Sequence, residues 1–139
     1  MRSVDPSEDN RARKGARNEP DQPSHRSPLL ASVMPAGAAS PEELEGMLED
    51  ACLLNDTLVL PNLFDLDAVL LARGTNQVRG RPAIANVIID QLRNGGSYVA
   101  APQLVMQSGP LALIISGAAI SVARRNLDGW HYVISRLDL

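Results

Sequence analysis

The sequence predicts a single small α+β domain over residues 40–139, with a helical first half packed on an antiparallel sheet made by the second half. Two observations carry this prediction. Between Ser40 and Asn94, apolar residues recur at three- and four-residue spacing and are bounded by capping residues, which is typical of amphipathic helices. From Ser97 to Leu137, long apolar runs are separated by glycine-containing turns, which is typical of strands joined by hairpins. A chain of 139 residues is long enough for one core.

Residues 1–39 differ in composition from the rest of the chain. They are polar and rich in proline, and they hold six basic and five acidic side chains. Such a segment cannot bury enough apolar surface to offset its chain entropy. The sequence therefore predicts a disordered tail that precedes the domain.

The first helix of the domain has a strong predicted start. Ser40 can cap it, Pro41 suits the first helical position, and Glu43 stands where it closes a capping box. The apolar face of this helix is predicted to hold Leu44, Met47, Leu48, Ala51 and Cys52. Because the neighbours of Cys52 are acidic, its thiol is expected to be a buried core group and not a reactive thiolate.

The middle of the chain predicts a connection, a strand and a second long helix. Pro61 ends whatever precedes it, Phe64 to Asp67 reads as a tight connection, and residues 68–72 read as a strand. Residues 74–80 read as a loop or short hairpin. The next helix is predicted to begin at Arg81-Pro82 and to end at Asn94-Gly95.

Three strands are predicted after this helix. They are residues 97–107, residues 111–123 and residues 130–137, the last two joined by a hairpin turn that contains Gly129. Consecutive hairpins predict an antiparallel sheet.

The predicted strand over residues 111–123 is apolar on both of its alternating faces. A one-sided antiparallel sheet should alternate polar and apolar residues, so helices on one face would leave the other apolar face uncovered. A second copy of the chain is the economical cover. The sequence therefore predicts a homodimer that packs sheet to sheet.

Composition excludes several other classes of protein. The net charge of -3 gives no electrostatic reason to expect nucleic acid. A single cysteine excludes an intrachain disulfide, which fits a reducing compartment. The longest apolar run is shorter than the roughly 18 residues of a membrane helix, and a signal-peptide pattern is missing. We therefore expect a soluble, cytoplasmic protein without a metal or cofactor.

Four motifs in order resemble the nuclear transport factor 2-like superfamily, and within it the SnoaL-like proteins. They are the first helix, the segment Phe64 to Leu70, the segment Val78 to Ile84 and the segment Asp128 to Ile134. The resemblance implies a cone-shaped fold in which about three helices wrap a curved sheet around a pocket for a small hydrophobic molecule. It also implies frequent dimers.

The known chemistries of this superfamily do not map onto the sequence. The base of the steroid isomerases would fall at Ala72, and their helix tyrosine near Asp50. Residues 97–123 contain no acid for a late-strand role, as the isomerases and cyclases require, and the Asp–Arg–Asp set of the epoxide hydrolases is not evident. The resemblance thus implies a binding domain. The alternative is an isomerase, cyclase or dehydratase of secondary metabolism that acts on a hydrophobic ring compound by acid/base chemistry.

Two residues are weak catalytic candidates, Asp50 and His131. A histidine side chain can serve as a general acid or base, and His131 is the single histidine of residues 40–139. Strand alternation, however, groups it with Val133 and Ser135 on the outer face of the sheet, and groups Trp130, Tyr132 and Ile134 on the inner face. Asp50 would face the interior only if the first helix is rotated as in the steroid isomerases; otherwise it is solvated.

Four residues are candidate ligand-binding groups. Trp130 and Tyr132 can stack on a planar ligand, or they can simply be core. Tyr98 and Gln103 are possible polar groups of the pocket wall.

Overall fold

The computed structural model describes residues 37–139, which form one folded unit. The tail predicted for residues 1–39 therefore lies outside the described residues except for its last three. Three helices occupy the first half of this unit: α1 (Pro41–Leu54), α2 (Val59–Asn62) and α3 (Arg81–Arg93). Six strands complete it: β1 (Phe64–Ala72), β2 (Val78–Arg79), β3 (Pro102–Ser108), β4 (Leu111–Ser116), β5 (Ala119–Asn126) and β6 (Gly129–Leu137).

The predicted cap of α1 is confirmed. The hydroxyl of Ser40 accepts a hydrogen bond from the Glu43 amide at 3.0 Å. The Glu43 carboxylate accepts in return from the amide of Ala39 at 2.5 Å, one residue earlier than in a standard capping box. Asn55 ends the helix in the left-handed conformation, with φ at 51°.

The six strands form one open sheet in the order β2-β1-β6-β5-β4-β3. The antiparallel sheet predicted for the second half of the domain is confirmed in β3 to β6, but the whole sheet is mixed, because β1 runs parallel to β6. Hairpins fix the antiparallel directions of β3 to β6. No hairpin joins β1 to β6, because β2, α3, β3, β4 and β5 lie between them in the chain, so turn signals did not reveal the direction of their pairing.

Strand boundaries also differ from the prediction. The strand predicted for residues 97–107 begins only at Pro102, and residues 97–101 have no regular secondary structure. Residues 111–123 are not one strand, because the chain turns at Gly117-Ala118 and pairs Ser116 with Ala119. Neither residue of this turn has a bulky side chain, so a tight hairpin forms inside an apolar run. Residues 64–67 belong to β1 and are not a separate connection.

A bulge in β6 corrects the predicted grouping of its side chains. Tyr132 pairs with Ala123 and Ile134 pairs with Val122, so Val133 is an extra residue. Tyr132 is fully buried, whereas Ile134 is 54 % exposed on the outer face of the sheet. The predicted set of Trp130, Tyr132 and Ile134 on one face is therefore wrong at Ile134.

The core lies between the helices and the inner face of the sheet. It is mostly aliphatic, and the buried thiol of Cys52 confirms the prediction for that residue. Its largest fully buried apolar side chains are Tyr132, Phe64, Leu44, Leu48, Leu60, Leu70, Ile84, Ile88, Ile114 and Leu137.

Residues Gly37 to Ala39 pack against the β5–β6 hairpin. Ala38 is 1 % exposed and its carbonyl accepts from the Trp130 amide at 2.9 Å. Gly37 lies so close to Gly129 that a Cβ on Gly129 would stand 2.5 Å from the Gly37 backbone. The folded unit therefore begins slightly before the helix cap.

Candidate functional site

Among residues 37–139 one acidic side chain is buried in the core, that of Glu45. It lies on the buried side of α1, next to Leu44 and one turn before Leu48, and it is 1 % exposed. Within residues 37–139 it makes no ion pair with an arginine or histidine. A charge buried in this way needs hydrogen-bond partners to remain in the folded state.

Two tyrosines supply those partners. The hydroxyl of Tyr98 donates to Oε1 of Glu45 at 2.6 Å, and the hydroxyl of Tyr132 donates to Oε2 in a short hydrogen bond. Because each carboxylate oxygen accepts from one phenol, the arrangement is the one that an ionised carboxylate takes. We call these three side chains the Glu45 cluster.

The electrostatics of the cluster keep both phenols protonated. Burial, together with the neighbouring Glu45, raises the pKa of Tyr98 and the pKa of Tyr132 above the usual range of tyrosine. Burial also raises the pKa of the nearby Cys52 thiol to about 11. At neutral pH both phenols and the thiol therefore keep their protons.

Packing fixes the position of Tyr132. Its ring lies 5.3 Å from the ring of Phe64, tilted by 37°, and its amide donates to the carbonyl of Leu63 at 2.9 Å. β1 and β6 thus hold one side of the cluster on rigid elements.

Tyr98 comes from a different kind of element. It lies in residues 97–101, which have no regular secondary structure and follow the helix-ending Gly95 and Gly96. We call residues 97–101 the strap. The amide of Ala100 donates to Glu49 Oε1 at 2.7 Å, so two carboxylates one turn apart on α1 hold the strap against the helix.

The four predicted ligand-binding residues lie in three places. Tyr98 and Tyr132 meet at Glu45. Trp130 is buried elsewhere in the sheet, beside Ala38, with the Arg125 guanidinium 5.7 Å from its ring centre. Gln103 is exposed on β3. Their binding role stays a prediction.

The two weak catalytic candidates lie away from the cluster. Asp50 is exposed on α1. His131 is 4 % exposed, and alternation along β6 places it on the face opposite Tyr132. Its Nε2 is 3.7 Å from Asp128 Oδ2, and its Nδ1 has no hydrogen-bond partner among residues 37–139.

Sequence reasoning missed Glu45, the centre of the site. A signal was present, because Glu45 precedes Leu48 by three residues and Cys52 by seven, so it shares their helical face. The neighbouring Glu42, Glu43 and Glu49 made it look like one more member of a solvated acidic run.

The outer face of the sheet is apolar and exposed. Its large exposed side chains are Leu71, Leu104, Met106, Leu111, Ile120 and Ile134. A groove of about 260 Å³ crosses this face between β1, β6 and β5, lined mainly by Leu71, Ile120 and Ile134 and their neighbours. Apolar residues in β4 and β5 thus serve both faces of the sheet, as predicted for residues 111–123.

The described part of the chain meets neither the requirements of a metal site nor those of a membrane-spanning helix. Residues 37–139 contain no group of histidine, cysteine, aspartate or glutamate side chains arranged to hold a metal ion. No helix in residues 37–139 is long and apolar enough to cross a membrane.

Comparison with known proteins finds similarity in structure alone. No protein-family model matches the chain, and no curated protein matches it. Among solved structures, a domain from Thiobacillus denitrificans, provisionally assigned as a calcium/calmodulin-dependent protein kinase type II association domain, aligns with a TM-score of 0.62 and 16 % identity over 73 % of this chain and 96 % of that one.

Two further solved structures are similar. An NTF2-like protein with a cystatin-like fold from Novosphingobium aromaticivorans has a TM-score of 0.59 and 20 % identity, covering 82 % of this chain and 85 % of its own. A ketosteroid isomerase-like protein from Erwinia carotovora atroseptica has a TM-score of 0.59 and 17 % identity, covering 70 % and 91 %. At such identities the likeness shows the fold.

Proposed function

From the nuclear transport factor 2-like fold of this chain, we propose that the domain binds a small apolar molecule that carries one hydrogen-bonding group. The molecule enters the space between the helices and the inner face of the sheet and meets the Glu45 cluster. The observation that carries this proposal is a carboxylate that is 1 % exposed and held by two tyrosine hydroxyls in an aliphatic core.

The energetics of Glu45 favour a role in binding. Burying a carboxylate costs several kcal/mol, and well-packed apolar side chains often replace buried charges without loss of stability. The two phenols use only part of the accepting capacity of Glu45, since a carboxylate offers about four lone-pair sites. A ligand with a hydrogen-bond donor would donate to one of the remaining lone-pair sites of Glu45.

Acid/base catalysis on a hydrophobic ring compound is the second candidate function. The observation that favours it is the chemistry of the same cluster: Glu45 supplies a base, and a protonated phenol of Tyr98 or Tyr132 that turns its hydroxyl from Glu45 to the substrate would stabilise an oxyanion. The similarity to a ketosteroid isomerase-like protein is compatible with this candidate. Residue by residue, however, the acids of the known isomerases are missing from the corresponding positions.

The domain also works as a homodimer in this proposal, with the second copy on the outer face of the sheet. Three strands, β4, β5 and β6, present apolar side chains on this face, and Ile120 and Ile134 are each about half exposed. A twofold axis would set the same apolar surface of both copies face to face, which closes the assembly.

A binding titration tests the proposed pocket. The full chain, labelled with ¹⁵N, is titrated with cyclic alcohols, ketones and phenols while amide shifts are recorded. We expect saturable shifts at the amides of Tyr98 and Tyr132. Glu45→Gln should weaken binding about tenfold, because a hydrogen bond to a charged group becomes a neutral one. Asp50→Asn on the exposed face of the same helix is the control and should leave binding unchanged.

Two results separate the candidate functions. If no ring compound shifts the amides around the cluster in a saturable way, the proposed pocket is wrong. If a cyclic ketone binds and exchanges its α-hydrogens for deuterium faster with the native chain than with Glu45→Gln, the acid/base candidate replaces simple binding.

A further inference from the structure

We infer that the ligand of this site is a phenol, and that it takes the place which the side chain of Tyr98 occupies when the strap is closed. The inference rests on the proposed binding function and adds the chemical class of the ligand and its route of entry.

Tyr98 is buried, whereas the other residues of the strap are more exposed. Its side chain is 4 % exposed and reaches Glu45, whereas its neighbour Val99 is 63 % exposed. Ser97 and Ala101 are exposed as well. The strap therefore inserts one deeply buried ring, that of Tyr98, into the interior.

The attachments of the strap are few. Beyond the Tyr98 hydroxyl, they are the hydrogen bonds from the Ala100 amide to Glu49, from the Ala101 amide to Ser116 Oγ at 3.2 Å, and from the Gly117 amide to the Ala101 carbonyl at 3.2 Å. The strap begins after Gly95, whose φ of 94° only glycine adopts readily, and after Gly96. Such a segment can move away from α1 when these few hydrogen bonds break.

The geometry of the vacated place defines the ligand. Removing Tyr98 leaves a flat slot the size of a phenyl ring that ends at Oε1 of Glu45. A ligand in this slot must donate a hydrogen bond, because the carboxylate only accepts. A phenol meets both requirements, a simple ketone lacks the donor, and an alkylbenzene offers the ring alone.

The affinity of the ligand depends on its competition with the side chain of Tyr98 for the same place. A ligand that binds only the open form has an apparent dissociation constant raised by the scarcity of that form. Glu49 anchors the strap but lies outside the cluster, so Glu49→Ala should increase the open fraction and tighten binding. Asp50→Ala is the matched control, since Asp50 is the next acid on α1 and is exposed.

The test titrates the full chain with p-cresol and with toluene, following the amides of Tyr132 and Ser116 by NMR. We expect p-cresol to bind the native chain at least tenfold more tightly than toluene. Glu49→Ala should tighten p-cresol binding at least fivefold, and Asp50→Ala should not change it. Tyr98→Ala, which vacates the slot in every molecule, should tighten it at least tenfold.

Two outcomes overturn the inference. Equal affinities for p-cresol and toluene would show that the site does not select a phenol, and equal effects of Glu49→Ala and Asp50→Ala would show that the strap does not gate it. In both cases the proposed pocket would stand, because a ring compound would still bind at the cluster. If neither compound nor any other ring compound binds there, the proposed function fails together with the inference.

Discussion

Glu45 is stabilised in the interior by hydroxyl groups and, within residues 37–139, by no cation. Hydrogen bonds to a charged group are stronger than neutral ones, and a charged acceptor that loses a donor keeps its full desolvation cost. The two tyrosines therefore contribute to stability as well as to the site.

Removing one phenol hydroxyl tests this account. Tyr132→Phe keeps the ring against Phe64 but deprives Glu45 of a donor, so we expect the free energy of unfolding to fall by about 2 kcal/mol. Urea denaturation at neutral pH measures the change. Ser135→Ala removes the neutral hydrogen bond of 3.0 Å between Ser121 and Ser135, and it should cost less. Equal losses in the two variants would contradict the account.

The pH dependence of stability follows from the same groups. The pKa values of Tyr98, Tyr132 and Cys52 are higher in the folded chain than their ordinary values of 10.0 for tyrosine and 9.0 for cysteine. The unfolded chain therefore releases these protons first, and stability that is complete below about pH 9 should decline as the pH rises further.

Urea denaturation at about pH 8 and about pH 10.5 measures this decline. Tyr132→Phe removes one of the titrating groups and should show a smaller difference between the two pH values. An unfolding free energy that rises with pH over this range would contradict the assignment.

At the level of single residues, sequence reasoning found the hydrogen-bond donors of the site but not the acceptor. Tyr98 and Tyr132 attract attention because aromatic residues are scarce in this chain. Glu45 does not, because acids on the first helix are usually solvated. Its burial depends on tertiary packing against the strap and β6, which helix periodicity alone does not describe.

Helices and strands were predictable to different degrees. The caps of α1 and the proline at the start of α3 are local signals, and both helices form close to the predicted positions. The parallel pairing of β1 with β6 and the bulge at Val133 arise from contacts between distant segments. No local pattern encodes either feature, so the sequence predicted the antiparallel strands of the second half but not the parallel pairing of β1 or the bulge in β6.

The β5–β6 hairpin depends on glycine at position 129. Its φ is 124°, and a Cβ there would meet the Gly37 and Ala38 backbone at 2.5–2.7 Å. We expect Gly129→Ala to lower the unfolding free energy by about 2 kcal/mol or more, because strain and backbone displacement add together. Gly109→Ala is the control, since it has a positive φ of 57° but no atom within 4 Å of the added Cβ. A Gly109→Ala variant that is as unstable as Gly129→Ala would contradict the close-packing argument.

At the scale of the whole folded unit, residues 37–139 present an exposed apolar surface on the outer face of the sheet. Large exposed apolar surfaces mark interaction sites on proteins. In the proposed dimer the outer surface is covered by the second copy, which leaves the interior for the ligand.

Sedimentation velocity tests the dimer at micromolar concentration. We expect the native chain to sediment with twice the monomer mass and Ile134→Glu to sediment as a monomer, since the change places a charge in the interface. Leu127→Glu makes the same kind of substitution on a fully exposed turn residue and should leave the dimer intact. A native chain that sediments as a monomer would overturn the argument from the apolar outer face.

The account depends most on where a small molecule binds. A crystal structure of the full chain, soaked with a mixture of small ring alcohols, ketones and phenols, gives the most direct answer. We expect a bound ring between the helices and the sheet, with its polar atom within hydrogen-bond distance of Glu45 and with Tyr98 displaced. A ring found only in the outer groove beside Leu71, Ile120 and Ile134 would contradict the proposed site.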